Sequence, residues 1–334
     1  MDSNRIGLSY RADAPAKLNL FLEVLAKRSD NFHEIETLMV AVSLRDTLYF
    51  TENQEGTVRL TCDWAPGMVA RSGSAEATRA DLGDLPISSD ANPETGHAGS
   101  AETNTVWKAI RLLREAAGID KGATVRIVKR VPAAAGLGGA SSDAAAALLL
   151  ANAGWKVGWN EAQLRELATE VGSDVPFFVG DRSRSMAVCS GRGEQIKVLP
   201  TATPLHVVVV RPPVGLSTPE VYARCRPAQT PVPIAPLVQA LQTGRIVEAG
   251  RRLFNRLETT AAEISPWIDR LRHQLKRLDV LGHQMSGSGS SFFAVCRHRR
   301  QALRVANLLR ATNVGRVFAA YSVQPQCRIA AVST

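Results

Sequence analysis

The sequence predicts an α+β fold of two lobes, and three observations predict it. Strand-like and helix-like patterns mix along the 334 residues without the regular βαβ repeat that builds a parallel sheet. A chain of this length can hold two lobes around a substantial core, and 45% hydrophobic with 21% charged residues is an ordinary globular composition. Prolines and threonines crowd between Leu199 and Pro204, which sets the expected boundary: an N-terminal lobe over 1–200 and a C-terminal lobe over 201–334.

The elements follow in order. "AKLNLFLEVLAK" alternates, with Leu18, Leu20, Leu22 and Val24 on one side and Asn19, Phe21 and Glu23 on the other, so it reads as a half-buried strand with Lys17 at its start. "TLYFTENQEGTVRLTCD" reads as a hairpin. "NTVWKAIRLLREAAG" spaces Val106, Ile110 and Leu113 as the buried stripe of a helix stopped by Gly118. "ATVRIVKRVP" alternates until Pro132 closes it. A helix near Glu161 to Val171, a hairpin turned at Gly191 to Gly193 and the buried strand "LHVVVV" come next. The C-terminal part is mostly helical until "HQMSGSGSSFFAVC", a strand, glycine turn and strand, and "RVFAAYSV" reads as the closing strand. About forty residues between Trp64 and Thr103 carry little periodicity, and so long a structureless stretch predicts a mobile insertion.

Composition excludes several classes. The longest wholly apolar run, Ala144 to Ala151, is too short to span a bilayer, and the N-terminus lacks the basic-then-apolar layout of a signal peptide, so a cytoplasmic protein is expected. Five scattered cysteines without CxxC spacing and six histidines without HExxH spacing imply neither a disulfide frame nor a bound metal. The net charge of +9 suits a polyanionic partner, either nucleic acid or a small phosphorylated nucleotide. The densest basic segment, "CRHRRQALRVANLLR", sets Ala302, Val305, Ala306 and Leu309 on one helical face with its arginines mostly away from it, the pattern of a solvated helix rather than a nucleic-acid reader.

The stretch "VPAAAGLGGASSDAAAALLLAN" carries the sharpest signal. A glycine-rich turn from strand to helix leaves backbone N–H groups unobstructed, and the helix behind it adds unpaired donors and a positive dipole end, which together attract phosphate. Gly136, Gly138 and Gly139 permit close backbone approach, and Ser141 and Ser142 offer hydroxyls in the first helical turn. It is not a Walker A loop, because Gly139 is followed by Ala140 and Ser141. It is not the dinucleotide fingerprint either, whose third glycine would stand at Ser141. The alternative without a ligand is a glycine turn capped by Ser142 and Asp143.

The pattern PxxxGLGxxSS before an alanine-rich helix resembles the ATP loop of the GHMP kinase superfamily. Together with "PAKLNLFLEVLAKRSDNFHEIETLM", "GSDVPFF" and "MSGSGSSFFAV", the chain is similar within that superfamily to the 4-diphosphocytidyl-2-C-methyl-D-erythritol kinases. The resemblance implies the two-lobed GHMP kinase fold, an N-terminal ATP-loop lobe and a C-terminal α/β lobe. It also implies ATP with Mg²⁺, and phosphorylation of the 2-hydroxyl of a CDP-linked methylerythritol in the non-mevalonate route to isoprenoids. Another GHMP kinase acting on mevalonate, homoserine or a sugar is the nearest alternative, and a basic nucleic-acid-binding module without activity is the remote one. The expected partner is a small molecule rather than nucleic acid or membrane, and monomer and homodimer both stay open.

The resemblance also implies roles. Asp174 matches the family's base and Lys17 its catalytic lysine. Pro132, Ala133, Ala134, Ala135, Gly136, Leu137, Gly138, Gly139, Ala140, Ser141 and Ser142 form the ATP loop, with Asn104 and Lys129 on the nucleotide side. Phe32, His33 and Tyr222 match the residues that hold the cytosine, Thr218 lies in the same "STPEVY" segment, and Asn19 matches the group at the erythritol end. Phe32 departs from the more usual tyrosine, which keeps stacking and loses any phenolic hydrogen bond. Arg256 in "NRLE" departs from the more usual acidic residue, leaving the interaction made there open.

Overall fold

The computed structural model describes residues 9–66, 68, 104–180, 185–200 and 204–332, so the predicted insertion lies, beyond its first residues, outside the described residues. Among the described residues twelve strands run in chain order as β1 (Ser9–Lys27), β2 (His33–Asn53), β3 (Val58–Trp64), β4 (Gly122–Lys129), β5 (Met186–Ser190), β6 (Gln195–Leu199), β7 (His206–Arg211), β8 (Phe254–Asn255), β9 (Gly282–Met285), β10 (Phe292–Cys296), β11 (Arg316–Tyr321) and β12 (Arg328–Val332). The described helices are α1 (Thr105–Ala116), α2 (Gly139–Gly154), α3 (Glu161–Val171), α4 (Val175–Phe178), α5 (Thr218–Arg224), α6 (Ala235–Gln242), α7 (Ile246–Arg251), α8 (Leu257–Ile264), α9 (Pro266–Lys276) and α10 (Arg299–Arg310). The fold is α+β.

The first sheet orders its main strands β12-β1-β2-β4-β3, with β5 and β6 extending from β2 and β8 joining β1; the second orders β11-β7-β10-β9. Every strand of the second sheet follows residue 205, whereas β12 returns from the chain's end to lie antiparallel to β1. "RVFAAYSV" is therefore β11, and it does not close the fold. β12, with the sequence RIAAV, is short and has no buried residue, so it lacks the in-and-out alternation by which a sequence shows a strand.

Two other expectations change. β2 and β3 are not a hairpin, because β4 lies between them, antiparallel to β2 and parallel to β3. Local turn chemistry at Gly56 cannot reveal that a strand over sixty residues later takes the neighbouring place. β1 is buried on both faces instead of one. Its small residues Ala12 and Ala14 pack with the helices of the first lobe, Leu18 and Leu20 with Val207, Val209 and Phe293 of the second sheet, and Leu22 and Val24 with the third cluster around α8 to α10. Lys17, Asn19 and Glu23 on its polar side are also buried, since each has hydrogen-bonding partners there. Lys17 stands mid-strand, and register shifts fall between Pro15 and Ala16 and between Asn19 and Phe21. Such bulges aim side chains that regular pleating would turn away.

α2 is apolar around its whole circumference, which suits a helix covered by α1, α3, β1 and β2. Its alanines allow close approach, and at Gly154 any Cβ would collide with the Phe50 ring. This central helix presents its N-terminus to a cleft between the two sheets.

Candidate active site

The cleft has a volume of about 700 Å³, and the loop from Pro132 to Ser141 forms one wall. The loop turns through positive φ at Ala134 (+47°), Gly136 (+71°) and Gly138 (+68°), so two of its three glycines are required by conformation. At Gly136 a Cβ would also strike the Ser286 carbonyl, and at Gly138 it would lie 2.8 Å from Lys17 Cγ. Gly138 caps α2 with no side-chain hydrogen bond, so capping by Ser142 and Asp143 is not what holds the turn. The first backbone N–H groups of α2 lack intrahelical partners and lie where its residues Gly139 to Ser141 line the cleft. Ser142 turns away instead, fully buried, with no partner for its hydroxyl.

Lys17 and Asp174 meet at the cleft floor. Lys17 Nζ lies 3.2 Å from Asp174 Oδ2 and donates to Asn19 Oδ1 at 2.6 Å. Asn19 in turn donates to Thr37 Oγ1 at 2.8 Å, and Thr37 donates to the Phe21 carbonyl at 2.6 Å, so the lysine's orientation is fixed by a chain of buried bonds. The Lys17 amide is tied to the Leu137 carbonyl at 2.8 Å, which joins β1 directly to the glycine loop. Asp174 occupies the N-cap of the short α4 without making a capping bond, leaving its carboxylate free of that duty.

The opposite end of the cleft is aromatic. The His33 and Tyr222 rings lie 5.3 Å apart at 37°, and Thr218, one turn before Tyr222 on α5, shares a 2.7 Å hydrogen bond with Ser288. Burial and the Lys27 charge hold the His33 imidazole below its usual value, so it is neutral at pH 7 with one donor and one acceptor nitrogen. Burial, with the nearby Asp174 charge, pushes the Tyr222 phenol up and keeps it protonated. Phe32 is 49% exposed at the rim, under the Arg192 guanidinium at 4.9 Å. Phe32, His33, Tyr222, Thr218, Asn19, Lys17, Asp174 and Lys129 thus share one cleft. Asn104 does not line it; its side chain caps α1 by accepting from the Val106 amide at 2.8 Å.

Three features that the sequence singles out make contacts it does not reveal. Lys129 lines the cleft with its ammonium held between Asp46 Oδ2 at 2.7 Å and Asp143 Oδ2 at 2.6 Å. The second glycine turn, 286–291, packs on the first: Ser286 Oγ donates to the Gly136 carbonyl at 2.9 Å, and Asn255 Nδ2 donates to the Met285 and Gly287 carbonyls at 2.9 and 2.8 Å. Arg256 makes a two-pronged pair with the fully buried Glu23, at 2.7 and 2.8 Å, and stands 5.0 Å over the Phe254 ring. The interaction left open at that position is therefore a buried ion pair. It holds the Glu23 carboxyl below its usual value despite the opposing effect of burial, helped by the Val232 and Val24 amides.

Comparison with known proteins gives consistent findings. Residues 104–181 match the family described as GHMP kinases N terminal domain, and residues 237–314 match GHMP kinases C terminal. The chain is 37% identical over 321 residues to the 4-diphosphocytidyl-2-C-methyl-D-erythritol kinase of Rhodopirellula baltica, covering 92% of each. It is 35% identical over 302 residues to that of Pelotomaculum thermopropionicum, covering 90% of this chain and 93% of the relative. A crystal structure of 4-(cytidine 5'-diphospho)-2C-methyl-D-erythritol kinase superposes with a TM-score of 0.70 at 31% identity, over 94% of this chain and 99% of that one. Homoserine kinase from Cytophaga hutchinsonii shares the fold at a TM-score of 0.70 and 20% identity, over 99% of each.

Proposed function

Because the chain belongs to the 4-diphosphocytidyl-2-C-methyl-D-erythritol kinase family of the GHMP kinases, we propose that its cleft performs that reaction with Asp174 as base and Lys17 as its partner cation. The chain is an ATP-dependent kinase of the isoprenoid pathway with an alcohol acceptor. Supporting the assignment of roles is one observation above others. Lys17 Nζ stands 3.2 Å from Asp174 Oδ2 in a cleft with a phosphate-binding loop on one wall and an aromatic pair on the other.

Phosphoryl transfer to a hydroxyl needs the γ-phosphate in line with the attacking oxygen, cations against the developing charge and an acceptor for the proton. The N-terminus of α2 and the loop amides hold the phosphates. Asp174 takes the proton of the 2-hydroxyl as the oxygen attacks phosphorus and the bond to the β-phosphate breaks. Lys17, fixed by Asn19, orients the Asp174 carboxylate and offers positive charge beside the transferred group. Mg²⁺ would enter as the counterion of ATP and would add positive charge against the phosphates. The cytosine lies against Tyr222, with Phe32 adding apolar surface at the rim and neutral His33 offering both hydrogen-bonding senses.

An ADP-release assay with ATP, Mg²⁺ and the CDP-alcohol, run beside mevalonate, homoserine and galactose, tests the reading. Turnover is expected with the CDP-alcohol alone, and equal turnover with another alcohol would move the assignment elsewhere in the superfamily. Tyr222→Ala is expected to raise KM for the CDP-alcohol about tenfold, roughly 1.4 kcal/mol, while KM for ATP stays within twofold. An unchanged KM for the CDP-alcohol would remove Tyr222 from cytosine binding.

A further inference from the structure

The loop that carries the phosphate site is fastened at its base by a buried three-residue ion cluster. Asp46 on β2 has no exposed side-chain surface, Asp143 on α2 has 4% and Lys129 at the end of β4 has 6%. Asp46 Oδ1 accepts from the Val131 amide at 2.8 Å and from the Arg130 amide, the two residues that lead into the loop. Its other oxygen holds Lys129, and Lys129 holds Asp143 in the second turn of the helix that leaves the loop. The ammonium also lies against Gly139, where a Cβ would come within 3.5 Å of Nζ. One lysine therefore spans the entry and the exit of the turn that runs from Val131 to Ser142. Asp46 Oδ2 has no hydrogen-bond partner besides its contact with Lys129, and Asp143 Oδ1 has none at all.

We propose that Asp46 and Asp143, acting through Lys129, are positioning residues that set the width of the nucleotide loop, so that ATP binding depends on them and CDP-alcohol binding does not. The inference rests on reading that loop as the ATP site. Burial foremost, with the Asp46 charge, pushes the Asp143 carboxyl up against the pull of Lys129, so the ammonium between the two carboxylates is what holds them together.

The test measures steady-state KM for both substrates, and binding of a non-hydrolysable ATP analogue, in wild type, Asp46→Asn and Asp143→Asn. Asp46→Asn keeps the acceptor for the Arg130 and Val131 amides and removes the charge that holds Lys129. It is expected to weaken analogue binding and raise KM for ATP about tenfold, with KM for the CDP-alcohol within twofold. Asp143→Asn, which keeps the side-chain shape and removes the other charge on Lys129, is expected to shift the same way, with KM for the CDP-alcohol again within twofold. Equal rises in both KM values, or unchanged ATP affinity in both variants, overturns the inference and leaves the cluster a structural support. A wild type that binds no analogue overturns the ATP-loop reading, and this inference with it.

Discussion

Asp174→Asn is expected to fold, to bind both substrates and to lose at least about a hundredfold in turnover, the scale of a positioned base. The substitution keeps the shape of the side chain and its place at the start of α4, where the carboxylate makes no capping bond whose loss could unsettle the helix. It removes the oxygen charge 3.2 Å from Lys17 Nζ, and an amide cannot take up the proton of the attacking hydroxyl. Single-turnover ADP release, alongside the melting temperature and the Kd for each substrate, checks the result. Turnover within a few-fold of wild type, at unchanged affinities, would return Asp174 to a structural role. Lys17→Met is expected to follow it, with a larger cost to stability because the Asn19 carbonyl then loses its buried donor.

Gly138→Val is expected to lose ATP affinity and about a hundredfold in turnover together. The sequence suggests only the first effect, since a side chain there crowds the phosphate approach. The structure adds the second. A Cβ on Gly138 would lie 2.8 Å from Lys17 Cγ and 3.0 Å from Cε, so the new side chain pushes on the lysine stem. The backbone there is at φ +68°, which costs a β-branched residue about 1 to 2 kcal/mol. Isothermal titration with the CDP-alcohol separates this from misfolding, because that affinity is expected to remain close to normal. Parallel loss of both ligands would mean that the loop is a folding element first.

How much of this was legible in the sequence depends on the range of the interactions. The glycine loop, its apolar helix and the helix over Glu161–Val171 are written in short stretches, and each forms where its pattern indicates. Lys17 and Asp174 could be singled out by their surroundings, but their 3.2 Å contact joins residues 157 positions apart, and no local pattern encodes it. Asp46 shows the limit most clearly. In "SLRDTLYF" it reads as an ordinary charged residue in a strand, yet it is fully buried, with partners that begin 83 residues downstream at Lys129. Arg256 is similar, since only the fold brings it to Glu23. Pairing order is equally non-local, which is why β4 separates two strands that look like a hairpin.

The long first strand has a consequence for how the molecule comes apart. β1 contributes residues to all three hydrophobic clusters, and its edges are completed by β8 and β12 from the far end of the chain. Removing either half of the sequence would strip that strand of partners and bare apolar surface in the half that remains. The lobes are consequently not independent folding units, and heat or denaturant should melt them in one cooperative step. Lys17, carried by the strand they share, is kept in place by the stability of the entire molecule.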